Sequence, residues 1–130
     1  MSIRKMISFH PDVKKSGHVN DPLGDAVHHA MYCAKMCLSC ADACAAEGMS
    51  QCVRTCSDCA DVCEATTRLA LRRTGSNEQI LIEMLEFCAR VCEACAAECE
   101  QHDNDHCRLC AQICRECAAD CRRAAESIRP

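Results

Sequence analysis

Residues 33–44 read CAKMCLSCADAC, with the four cysteines spaced C-x3-C-x2-C-x3-C. Steps of four, three and four residues are the a/d steps of a heptad, so Cys33, Cys37, Cys40 and Cys44 fall on one seam of a helix. The same spacing returns three times. It holds Cys52, Cys56, Cys59 and Cys63 in CVRTCSDCADVC, then Cys88, Cys92, Cys95 and Cys99 in CARVCEACAAEC, then Cys110, Cys114, Cys117 and Cys121 in CAQICRECAADC. Cys107, three residues before the last set, extends it and brings the cysteine total to 17. Helices ordinarily fill such a seam with Leu, Ile and Val. Here thiols hold it, and thiols at this density are ligands for a soft metal.

The residues between the sets punctuate the chain into helices. Asp21-Pro22 has the form of an N-cap followed by proline in the first turn, and that helix is expected to run to about Ala46. Gly48 breaks it, and Ser50 caps a second helix running to about Thr74, where Gly75 ends it. Ser76 with Gln79 has the capping-box form and opens a third helix, to about His102. The turn at Asp103, Asn104 and Asp105 caps a fourth, which ends near Ser127. Short loops make sequential helices antiparallel neighbours. The predicted fold is all-α: an antiparallel up-down-up-down four-helix bundle with a Cys-lined core. Residues 1–20 read as a polar N-terminal leader. Residues 21–130 read as one metal-holding domain, in line with the 130-residue length.

The seam continues past the cysteines at one end only. Stepping outward gives Leu23, Ala26 and Ala30 before Cys33, and Thr66 and Ala70 after Cys63. It gives Leu81 and Leu85 before Cys88, and Ala124 and Ile128 after Cys121. All lie beside the 74–76 turn. The bundle is therefore expected to have an aliphatic floor at that end and a thiol-lined tube at the other. Each stripe spans ~16 Å of helix axis. Ala34, Ala41, Ala45, Ala60, Ala89, Ala96, Ala111 and Ala118 flank the stripes and permit close helix approach.

Composition excludes several classes. Net charge is −4, from 15 basic and 19 acidic residues, and aromatics are 2% of the chain. Neither a basic nucleic-acid footprint nor a set of base-stacking rings is present. No apolar run is long enough to span a membrane. The segment MSIRKMISFHPDVKKSGH contains no apolar core of a signal peptide, so the reducing cytosol is the expected compartment. An odd cysteine count at helical spacing does not describe a disulfide scaffold. No Cys/His pair stands out as an activated nucleophile, and no phosphate or dinucleotide motif occurs, so no enzyme is expected.

Among soft metals, Cu(I) suits the pattern. Zinc takes closed tetrahedral four-ligand sites, and 17 thiols do not divide into them. Iron–sulfur clusters need sets of four cysteines that a single helical stripe presents poorly. Cu(I) prefers thiolate, and cysteines at i,i+3 and i,i+4 are near enough to share an ion. Each Cu⁺ offsets one thiolate, so filling the core leaves little buried net charge. Neutral thiols bury readily, so the bundle is expected to fold empty. A zinc or cadmium buffer of metallothionein type, or an iron–sulfur or thiol redox protein, is the alternative.

The thiol half opens toward the turns at 46–50 and 101–106. His102 and His106 are candidate ligands there, with Met49 beside them. His28 and His29 lie off the seam toward the floor and read as surface or subunit-contact residues.

Four inward C-x3-C-x2-C-x3-C helices across residues 22–127 resemble the bacterial four-helix-bundle copper storage proteins, and the cytosolic branch in particular. That resemblance implies storage of many Cu(I) ions per chain, ligation by all 17 cysteines, copper entry at one end, and a homotetramer.

Overall fold

The computed structural model describes residues 2–130, and Met1 lies outside them. Two short helices, α1 (Ile3–Ser8) and α2 (Pro11–Ser16), precede four long ones. The long helices are α3 (Asp21–Ala46), α4 (Ser50–Leu71), α5 (Glu78–Cys99) and α6 (Asp105–Ile128). Among the described residues there is no strand. No helix there is long and apolar enough to cross a membrane.

The long helices close into a ring: α3 packs on α4 and α6, and α5 packs on the same two. Sulfur contacts give the directions. Cys33, Cys37 and Cys44 of α3 meet Cys114, Cys110 and Cys107 of α6, so numbers rise on one helix as they fall on the other. Cys52, Cys59 and Cys63 of α4 likewise meet Cys99, Cys92 and Cys88 of α5. Across the diagonal, Cys33 meets Cys92 and Cys37 meets Cys95, both rising together. Antiparallel neighbours with parallel diagonals define the expected up-down-up-down bundle.

Helix ends differ from expectation by a few residues. Asn20, not Asp21, caps α3, because its side-chain oxygen accepts the Leu23 N–H at 3.0 Å. Met49 occupies the cap position of α4, and Ser50 is already helical. That helix stops at Leu71, three residues early, where Arg72 turns extended. The capping box at Ser76 does not form. Asn77 holds the cap position, and the Ser76 hydroxyl donates to the Glu78 carboxylate instead. α5 ends at Cys99, not His102, with the Glu100 N–H closing onto Ala96.

The floor is as the seam implies. Leu23, Leu81 and Leu85 are fully buried, joined by Val27 and Ile82. Thr66 and Thr67 are also buried, and each hydroxyl donates back to a carbonyl one turn earlier, Val62 and Cys63. Seven of the eight flanking alanines are buried, while Ala45 is exposed in a groove with Gly48 and Met49.

The leader is helical and docks on the bundle. Ile7 is buried, Ile3 packs against the core, and α1 lies along α3. Arg4 pairs with Asp25 and reaches the Asp21 carbonyl at 3.3 Å. Gly24 makes room for it: a Cβ there would stand 2.9 Å from the guanidinium.

Candidate metal site

Cysteine steps of four, three and four keep each stripe facing inward along its whole length, and all 17 thiols are buried and free. Facing stripes interleave. Cys37 Sγ lies 3.6 Å from Cys114 Sγ and 3.7 Å from Cys110 Sγ. Cys56 lies 3.7 Å from both Cys95 and Cys99, and Cys92 lies 3.7 Å from both Cys59 and Cys63.

These distances build quartets whose ligand atoms all lie within 4.8 Å of one another. On the floor side of the tube stands the quartet Cys33, Cys63, Cys92 and Cys117. Next come Cys33, Cys37, Cys59 and Cys114, then Cys37, Cys95, Cys110 and Cys114. Toward the mouth follow Cys40, Cys56, Cys99 and Cys110, and finally Cys40, Cys44, Cys107 and His106. Consecutive quartets share a sulfur: Cys33, then Cys37 and Cys114, then Cys110, then Cys40. A closed zinc site keeps its four ligands to itself. Shared ligands instead suit a monovalent thiophilic ion that tolerates bridging thiolate, and they give it a continuous row of sites.

The thiols satisfy one another. Cys33, Cys88, Cys95 and Cys110 are held below the ordinary thiol range, chiefly by hydrogen bonds from Cys114, Cys117, Cys110 and Cys114 in turn. Cys37 and Cys92 are raised, chiefly through their bonds to Cys110 and Cys117, with burial adding to the effect. At the mouth, burial pushes Cys40 and Cys107 up and takes Cys52 up to about 12. An ion that binds a raised thiol such as Cys37, Cys40 or Cys92 must displace its proton.

The mouth lies between the α3–α4 and α5–α6 turns. Cys40 and Cys110, on that half, are the most exposed of the thiols, at 3% and 2%. His106 stands in the first turn of α6 with Nδ1 3.3 Å from Cys40 Sγ and 3.6 Å from Cys107 Sγ. Its Nε2 meets the Glu47 carboxylate. His102 sits at the same end, but its Nε2 pairs with Glu98 at 2.8 Å, outside the His106 quartet. Met49 is partly buried, and its N–H donates to the Cys44 carbonyl at 3.0 Å. It lines the groove with Ala45, Gly48, Ser50 and Val53.

Two features escaped the sequence reading. Glu47 is one: its spacing from Cys44 shows only that a helix ends there, and its partner is 59 residues away. Asp120 is the other. It is 4% exposed, between Cys117 and Cys121 yet off the seam, and it joins His29 of α3 to Arg123. His29 thus serves the α3–α6 contact within the chain. An acidic residue amid an otherwise alanine-rich flank was the available signal.

Known proteins share this arrangement. The chain is 31% identical to a Streptomyces lividans copper storage protein loaded with 10 copper equivalents. That match covers 97% of this chain and 99% of the other, with a TM-score of 0.86. The same Streptomyces protein, in a structure with five coppers, is described as a cytosolic copper storage protein; there the identity is 37% and the TM-score 0.78, over 82% of this chain and 93% of the other. A Cu(I)-bound copper storage protein from Bacillus subtilis is 34% identical, covering 77% of this chain and 94% of its own, with a TM-score of 0.68. An uncharacterized cysteine-rich protein of Bacillus subtilis, YhjQ, is 38% identical over 76 residues, which are 58% of this chain and 70% of that protein. The copper storage protein model matches residues 19–126, and the chain belongs to that family.

Proposed function

We propose that this chain stores many Cu(I) ions along its core as copper thiolates, in the cytosol. The observation that carries the reading is the ladder of sulfur-sharing quartets from Cys63 and Cys117 to Cys40, Cys44 and Cys107. Copper loading of relatives that match 97% and 77% of this chain supports it. The 17 cysteines are the ligands, and His106 is the nitrogen donor at the mouth. His102 is an accessory donor at the same end. The leucine floor closes the other end, so ions enter and leave at the mouth.

The role is sequestration, not turnover. An ion entering at the mouth exchanges thiol protons for itself and moves inward by passing between shared sulfurs. The cytosolic assignment draws support from the regular free-thiol pattern and from the cytosolic description of the Streptomyces relative. Assembly into a homotetramer draws support from the apolar side chains left exposed on α1, its C-cap residue and α3, among them Met6, Phe9, Met31, Tyr32 and Leu38.

The test is elemental analysis of the anaerobically loaded full chain after gel filtration, repeated after challenge with excess Zn²⁺. Storage predicts that copper stays with the protein and zinc does not replace it. Displacement of copper by zinc would return the protein to the zinc-buffer class.

A further inference from the structure

Glu47 is the C-cap residue of α3. A helix C-terminus disfavours a carboxylate, because its unpaired carbonyls already carry partial negative charge. Both oxygens of Glu47 are nonetheless engaged, and both reach across the mouth to α6. Oε2 accepts a hydrogen bond from Asn104 Nδ2 at 2.5 Å, and Oε1 accepts one from His106 Nε2. Asn104 is the cap residue of α6, so the carboxylate ties two helix ends together.

The consequence falls on the other ring nitrogen. A neutral imidazole carries one N–H and one lone pair, and a carboxylate offers only acceptors. The nitrogen that faces Glu47 must therefore carry the hydrogen. The lone pair is left on Nδ1, which faces Cys40 Sγ at 3.3 Å and Cys107 Sγ at 3.6 Å.

We propose that Glu47 is a positioning residue for copper capture. It holds the His106 ring so that the Nδ1 lone pair is already aimed into the Cys40, Cys44 and Cys107 cluster when an ion arrives. This rests on the storage reading above. Histidine ligands commonly donate their second N–H to a carboxylate, and loss of that partner lowers metal affinity or activity about 10–100-fold. Here the partner would act on the first ion taken up at the mouth, before the deeper quartets fill.

The experiment uses the full chain. A Cu(I)–chelator complex at limiting copper is mixed with protein, and the rate of the first copper transfer is read by stopped flow. E47A is expected to transfer about tenfold more slowly than the unmodified chain. E47Q keeps an oxygen that accepts the Nε2 hydrogen and should retain most of the rate. Asp61→Ala, which removes an equal charge from the exposed face, should transfer at the unmodified rate. The E47A/H106A double variant should be no slower than H106A, because Glu47 acts through His106. Nitrogen NMR of the His106 ring supplies a second readout. The first copper equivalent should shift Nδ1 in the unmodified chain, and E47A should weaken that response.

Three results would overturn the proposal: E47A transferring at full rate, E47Q as slow as E47A, or E47A slowing transfer equally with and without His106. The last two would assign Glu47 to attracting the cation through its charge. Failure of the storage reading would show differently, as low copper capacity in the unmodified chain. Melting curves for every variant separate a folding defect from a capture defect.

Discussion

Cys37 on α3 and Cys114 on α6 bring their sulfurs to 3.6 Å, and both belong to the same two neighbouring quartets. An ion held by one quartet is therefore already in contact with ligands of the next. Removing a shared sulfur should disturb two quartets at once. Cys37→Ala is expected to lower copper capacity while costing the empty bundle only on the order of 1 kcal/mol, since alanine is a small loss of volume in a core of thiols. Elemental analysis beside thermal unfolding checks both.

The floor should behave in the opposite way. Leu85 is fully buried and contributes no ligand. Leu85→Ala should cost about 2–5 kcal/mol in the empty protein. Copper that binds only the folded state should recover much of that loss. The check is a pair of melting curves, empty and loaded, in which the gap between variant and unmodified chain narrows on loading.

Much of this was legible in the sequence, for a physical reason. A heptad step repeated through four cysteine sets leaves one way to bury them, and Leu23, Leu81 and Leu85 marked the closed end. What was not legible depends on how helices rotate and end in three dimensions. Asn20 outcompetes Asp21 as a cap because its oxygen reaches the Leu23 N–H. Glu47 meets His106 only because α3 and α6 run antiparallel and finish at the same height. The leader offers Ile3, Met6, Ile7, Phe9 and Val13 with no seam to say which of them dock; Ile3 and Ile7 face the bundle while Met6 and Phe9 stay exposed. Its seat on Gly24 depends on Arg4 lying over a residue without a side chain.

The two histidines near the mouth should separate. His106 faces two thiols, while His102 is engaged with Glu98. His106→Ala should slow the first copper transfer more than His102→Ala does. Equal slowing would place both rings in the entry path. Stopped-flow transfer from a chelator checks the order.

Proton linkage predicts two pH effects of opposite sense. Copper entry converts thiols to thiolates and releases protons, so retention should weaken as pH falls. In the empty protein, burial takes Cys52 from its ordinary value of 9.0 up to about 12. Its neutral thiol is thus favoured by folding. The stability it contributes is fully present below about pH 9 and is lost as pH rises toward about 12. Unfolding of the empty chain across that window, under reducing anaerobic conditions, checks the sign.

Asp120 ties His29 to Arg123 across the α3–α6 contact while nearly buried itself. Both partners reach solvent and can rehydrate when it is removed. Asp120→Ala should therefore cost about 1–2 kcal/mol, less than the loss of a partner from a fully buried pair. Chemical denaturation of the empty protein checks the magnitude, and copper capacity should not change.

The most direct test of the central claim is an anaerobic Cu(I) titration of the fully reduced chain, with thiols counted in the same sample. A shared-sulfur ladder built from 17 cysteines predicts saturation well beyond four ions per chain. Saturation at one or two ions would contradict it.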